Sequence, residues 1–224
     1  PITLCNKHVI YTILFKAVKE TLITFARNKG GAIGFLSLLH TGDQILLDHF
    51  HIHCLIAAGA LALTKDKWTP ANDKYLFKIT SLAKAFKNCF LKLLVNAYEK
   101  DQLIFTPKTA ALKSRQAFKQ LISSVSKKRW IAYAKRPFAG PQQVLEYLGR
   151  YTHRVAISNY RIISIDNRRV TFTYRDRQND DEIKKMTLDA GEFIARYAGL
   201  PAAFVVHLPQ QQYAEFYIAR VQLA

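Results

Sequence analysis

A chain of 224 residues that is 50% hydrophobic can bury a sizeable core, as one large domain or two small ones. Its 33 lysines and arginines against 16 acids give a formal net charge of +17 and are not confined to one amphipathic helix, which points to a polyanionic partner, nucleic acid before a membrane surface. Cys5, Cys54 and Cys89 are odd in number and form no CxxC pair, which argues against a disulfide framework and a cysteine-built zinc ribbon; without a run of 18 apolar residues or a secretory leader pattern, neither membrane insertion nor secretion is expected, and a reducing cytoplasm is. The chain opens at Pro1 and its single methionine is Met186, so we expect it to be an excised part of a longer product.

From Asn6 to Arg27 the apolar residues Ile10, Leu14, Val18, Leu22 and Phe25 recur at helical spacing, and Asn28 to Gly31 supplies a stop. Ile33 to Leu39 reads as a buried strand, Thr41 to Gln44 as a turn, and Leu46 to Leu61 as a second strand able to pair with the first. After a polar break at Asp66 to Asp73, Tyr75 to Glu99 carries the longest helical pattern, with Leu82, Phe86, Phe90, Leu93 and Ala97 on one side. Pro107 to Val125 is a basic amphipathic segment and Trp130 to Ala134 a short strand; Trp130 and Tyr133 are expected to be exposed and to favour single-stranded over duplex DNA by stacking.

Gly140 and Pro141 mark the start of a helix that runs to about Thr152. Arg154 to Ile165, Val170 to Arg175 and Lys184 to Leu188 read as strands, the first two joined through Asp166 and Asn167, and Ala190 to Tyr197 as a short helix. This order predicts an α+β fold with a largely antiparallel central sheet flanked by helices.

Two runs carry chemistry. In HFHIHC an extended backbone turns His49, His51 and His53 to one face, with Phe50, Ile52 and Cys54 directed to the core. Two or three imidazoles on one face hold a divalent ion while leaving positions open for substrate; alternation would turn Asp48 away from them. In EYLGRY, Tyr147 and Tyr151 lie one helical turn apart and share a face, so two hydroxyl nucleophiles stand together, with Arg150, His153 and Arg154 beside them. The bland roles are an ordinary Glu146–Arg150 pair and core tyrosines. The combination of both runs is what suggests covalent cutting of nucleic acid.

HFHIHC and YLGRYTHRVAISNYRI together resemble the paired motifs of the HUH (His-hydrophobic-His) single-strand endonucleases, specifically the double-tyrosine rolling-circle transposases of bacterial insertion sequences, over about Phe15 to Tyr197. The resemblance implies an HUH endonuclease-like fold and cleavage of one DNA strand with a 5′-phosphotyrosine link and a free 3′-hydroxyl. Tyr147 and Tyr151 map to the nucleophiles, and His51 and His53 to the ligands of a divalent ion, magnesium or manganese being the expected ion in the cell. Relatives take a third ligand from an adjacent element; Gln44 is our candidate, with His49 and Asp48 as weaker options. Arg150, His153, Arg154, Lys135 and Arg136 are the expected DNA contacts.

Implied partners are single-stranded DNA at transposon ends and target, with host helicase or replication proteins possible, in a bacterial, nucleoid-associated setting and with no membrane. A cysteine-rich zinc-binding domain precedes this core in similar transposases, and we expect this chain to be a fragment cut after it. Several positions depart from the family pattern: Gly42-Asp43 stands where Trp-Gly is usual, Phe50 replaces a proline, Ala57 to Ala60 replaces a glycine-rich run, and the tail from Gly199 to Ala224 is atypical. Two alternatives stay open: a plasmid replication initiator or relaxase of the same chemistry, and a catalytically decayed DNA-binding remnant.

Overall fold

The structure, a computed structural model, describes residues 1–42, 48–64, 67–70, 77–134, 138, 141–152, 157, 159–176, 179–198, 203–207 and 218–223; for 42, 48–49, 141, 148–152, 195, 197–198, 203–206 and 218–223 only the backbone is described. Two compact units are distinguished, one formed by Pro1–Ser37, Ile52–Pro141 and Val205–Ala224, the other by Leu38–His51 and Gln142–Phe204.

In the first unit a single turn, α1 (Ile2–Cys5), leads into α2 (Lys7–Arg27), which buries Ile10, Ile13, Leu14, Ala17, Val18, Leu22 and Ala26 along one stripe. The helix starts one residue later than expected because the Asn6 side chain serves a distant strand of chain. Its Nδ2 donates to the Ile2 and Ile104 carbonyls, 2.9 Å each, and its Oδ1 accepts from the Ile104 N–H at 2.6 Å. The stop is as the sequence indicates: the Gly30 N–H donates to the Arg27 carbonyl, and Gly30 takes φ +79°, a region that favours glycine.

Strands β1 (Gly31–Ala32), β2 (Phe35–Gly42), β3 (Asp48–Ala57), β4 (Gly59–Ala62) and β5 (Trp68–Pro70) follow. The expected second strand therefore ends at Ala57, and Gly59–Ala62 leaves to form a separate three-stranded sheet, β1-β4-β5. Close approach demands glycine there, since a Cβ on Gly59 would lie 2.3 Å from the Trp68 ring and 2.8 Å from the Thr69 carbonyl oxygen. Gly59→Ala is expected to destabilise by about 1–3 kcal/mol through overpacking. An unchanged urea midpoint would show that the Trp68 ring gives way without cost.

Helix α3 (Ile79–Glu99) buries Leu82, Phe86, Phe90, Leu91, Leu94 and Ala97 and packs on α2. The expected amphipathic segment is a 3₁₀ segment (Pro107–Lys113) followed by α4 (Arg115–Lys127), with Ser114 extended between them. Tyr98 of α3 stacks on Phe118 of α4, ring centroids 3.9 Å apart, and its hydroxyl donates to the Lys113 carbonyl at 2.7 Å. Trp130 is not the exposed aromatic the sequence suggests: it is half-buried, edge-on to Phe86 and tilted against Phe90, centroids 5.7 and 5.3 Å away. Tyr133 in β6 (Ala132–Ala134) is 51% exposed.

In the second unit, α5 (Pro141–Thr152) is followed by a 3₁₀ turn (Asn159–Arg161) and an antiparallel meander of β7 (Ile162–Asp166), β8 (Arg169–Asp176) and β9 (Glu182–Asp189). Of the expected strand from Arg154, residues 154–156 and 158 lie outside the described residues, Asn159–Arg161 is a 3₁₀ turn, and the strand is described from Ile162. Its hairpin turns through Asn167 and Arg168, φ 47° and 59°, rather than through Asp166 and Asn167. Paired left-handed residues match the right-handed twist of the flanking strands. Asp189 then caps α6 (Ala190–Ala198), its Oδ1 accepting the Gly191 N–H at 2.8 Å. Phe172, Leu188 and Ile157 form a core with Ile162, Met186 and Phe193 around it.

The largest sheet has the order β10-β2-β3-β11-β6, with β10 at Ala203–His207 and β11 at Ile218–Leu223. Within the tail, β11 pairs antiparallel with β3 from Ile218↔Ala57 to Leu223↔Ile52 and with β6 from Val221↔Ala134 to Leu223↔Ala132. Every described register is antiparallel, and the fold is α+β with antiparallel sheets flanked by helices. Among the described residues no helix is long and apolar enough to cross a membrane.

Candidate active site

Strand alternation decides which side chains meet. Ile52, Cys54 and Ile56 of β3 are fully buried, and His51 and His53, on the opposite face, are only 4% and 3% exposed, so both faces of the strand are covered rather than one. Five residues separate β2 from β3, too few for a parallel crossover, so the two hydrogen-bonded neighbours form a hairpin. That hairpin brings His40 of β2 to the histidines of β3. His40 Nδ1 lies 3.0 Å from His51 Nε2, the rings are nearly perpendicular with centroids 4.6 Å apart, and one ligand nitrogen from each of His40, His51 and His53 falls within 4.8 Å of the others.

Three imidazoles converging so closely fit a divalent metal. Metal–nitrogen bonds of about 2.0–2.1 Å place ligand nitrogens roughly 3.3 Å apart around a tetrahedral ion, close to the His40–His51 separation. Among the described residues the cluster contains no carboxylate, and its three imidazoles suit manganese, nickel or zinc better than magnesium. Cys54 beside His53 is no competitor: burial pushes its thiol up to about 12, against a smaller lowering by the Ser37 hydroxyl 3.5 Å away, and a ligating cysteine must be a thiolate.

Of the metal-site residues expected from sequence, His51 and His53 are brought together as anticipated. Gln44 lies outside the described residues. His49 and Asp48 lie on β3, but their side chains are not described. His40 was missed because the first strand was read as ending at Leu39, whereas β2 continues through His40 and Thr41 to Gly42. The signal that finds it is the hairpin itself, which sets a residue shortly before the turn opposite one shortly after it.

Tyr147 and Tyr151 both lie on α5, one turn apart, with Pro141 at its first position. Tyr147 is 4% exposed and shares the buried face with Val144. The Tyr151 and Arg150 side chains are not described, and His153, Arg154, Lys135 and Arg136 lie outside the described residues. Glu146 accepts a 3.3 Å hydrogen bond from Gln142 Nε2.

An antiparallel α+β architecture with a histidine cluster on neighbouring central strands is consistent with an HUH endonuclease-like fold. The family model Y2_Tnp, described as "Putative transposase", matches residues 34–212, and the chain belongs to that family. It is 40% identical over 195 residues to "Putative transposase y4qJ" of Sinorhizobium fredii (strain NBRC 101917 / NGR234), covering 86% of this chain and 49% of that protein. It is 24% identical over 205 residues to "Transposase for insertion sequence element IS801" of Pseudomonas savastanoi pv. phaseolicola, covering 89% and 46%. The chain thus spans about half the length of both relatives. No solved structure matches it.

Proposed function

We propose that the chain is the catalytic core of a transposase that cuts and rejoins one strand of DNA through a 5′-phosphotyrosine intermediate. The observation that carries this reading is the convergence of His40, His51 and His53, in a chain whose family and relatives are transposases by name and which sets two tyrosines on one helical face. His40, His51 and His53 would hold a divalent ion, manganese or magnesium in the cell. When bound, that ion withdraws charge from the scissile phosphate.

The hydroxyl of Tyr147 or Tyr151 attacks phosphorus in line. The Tyr Oη–P bond forms as the P–O3′ bond breaks, the phenolic proton is released, and O3′ takes up a proton to become a free hydroxyl. One phosphodiester replaces another, so rejoining needs no nucleotide cofactor, in keeping with a sequence that has no GxxxxGK loop. Burial of the Tyr147 ring holds its hydroxyl on a rigid element, and the second tyrosine lets one residue keep a link while the other takes a second strand. The reading places the protein in a bacterial cytoplasm at the nucleoid, with host helicase or replication proteins separating the strands.

The test is a denaturing gel of the chain with single-stranded oligonucleotides from the ends of its source element, in the presence of manganese. A 3′-labelled oligonucleotide is expected to leave label on the protein, while a 5′-labelled one yields a shorter free fragment. Label retained from the 5′ end, or no adduct with any end sequence, would refute the proposed chemistry.

A further inference from the structure

Between Gln102 and Leu145 the chain carries nine lysines and arginines and no acid. Helix α4 lies in the middle of this stretch and is anchored by its apolar side: Phe118 is buried under Tyr98, and Lys87 Nζ of α3 donates to the Ser126 carbonyl at 2.7 Å, closing the helix end. Its other side is exposed. Arg115, Lys119, Ser123 and Lys127 follow one another at intervals of four residues, each about 6 Å further along the helix axis in a row inclined to it. Arg115, Gln116, Lys119, Gln120 and Ser123 line a shallow concavity there. Arg115, Lys119 and Lys127 make no ion pair with a described carboxylate, so no internal partner accounts for the stripe.

From this we infer that the outer face of α4 is a docking surface for the phosphate backbone of duplex DNA. Charge complementarity selects a polyanion, and the amides and hydroxyls between the cations are donors suited to phosphate oxygens. The exposed stripe of the helix has no aromatic side chain, and stacking on aromatic rings is what holds single strands, so this face is matched to a duplex, such as the DNA flanking a cleaved strand. The surface is separate in role from the histidines and tyrosines, none of which lies on α4. It rests on the reading of the chain as a protein that acts on DNA.

The triple variant Arg115→Gln, Lys119→Gln, Lys127→Gln tests it in the full chain, with the charge-conserving Arg115→Lys, Lys119→Arg, Lys127→Arg as control. Affinity for a 20-base-pair duplex and for a single strand is measured across a salt series, together with the tyrosine adduct. Loss of three phosphate contacts is expected to make the slope of log affinity against log salt shallower by about 2.7 and to weaken duplex binding at low salt at least about tenfold. The control should keep the wild-type slope, and the single-strand adduct should persist in both variants. An unchanged duplex slope, an equal loss for single strand and duplex, or a wild-type chain that binds no duplex would overturn the assignment. A wild-type chain that binds duplex but forms no adduct would instead sink the catalytic reading and leave the α4 surface standing.

Discussion

Replacing both Tyr147 and Tyr151 by phenylalanine is expected to abolish the covalent DNA adduct, a loss on the order of a thousandfold or more in the rate of its formation. The substitution is chosen because Tyr147 is buried. Alanine there would open a cavity and confuse loss of fold with loss of chemistry, whereas phenylalanine keeps the ring and removes only the hydroxyl. Each single variant should impair complete strand transfer while one still nicks an oligonucleotide, since the two tyrosines lie one turn apart on α5. A thermal melt close to wild type makes the comparison valid. Should the double variant still form adduct at full strength, the nucleophile lies elsewhere, and Tyr160, 88% exposed, and Tyr133 become the first to replace.

Removing a histidine of the cluster is expected to lower divalent-metal affinity by more than about a hundredfold, since even residues that merely orient metal ligands cost tenfold to a hundredfold when lost. His51→Ala and His53→Ala should lose metal binding in calorimetry and lose the adduct with it. His40→Ala is the discriminating case. If the hairpin contact marks the third ligand, this variant behaves like the other two and Gln44→Ala keeps most of the affinity. The opposite ranking would assign the third position to Gln44. Manganese should also raise the melting temperature of the wild-type chain and not that of the variants, because a ligand bound only by the folded state stabilises it in proportion to its occupancy.

Local pattern accounts for much of this protein. Helical spacing from Asn6 to Arg27 located α2 to within a residue, Pro141 marked the start of the helix that holds both tyrosines, and alternation along β3 placed His51 and His53 on a common face. These features depend on contacts within a few residues, where backbone periodicity alone decides which side chains are neighbours. The paired motifs also pointed to the transposase family that the comparisons then gave. Other features depended on partners distant in the chain. His40 joined the cluster only because β2 extends past Leu39 and pairs with β3. Trp130 turned inward because Phe86 and Phe90, some forty residues earlier, offered it an aromatic pocket. Ile218–Leu223 became sheet because β3 and β6 had edges to complete, and an unpaired strand edge is satisfied by whichever segment the folded chain brings alongside.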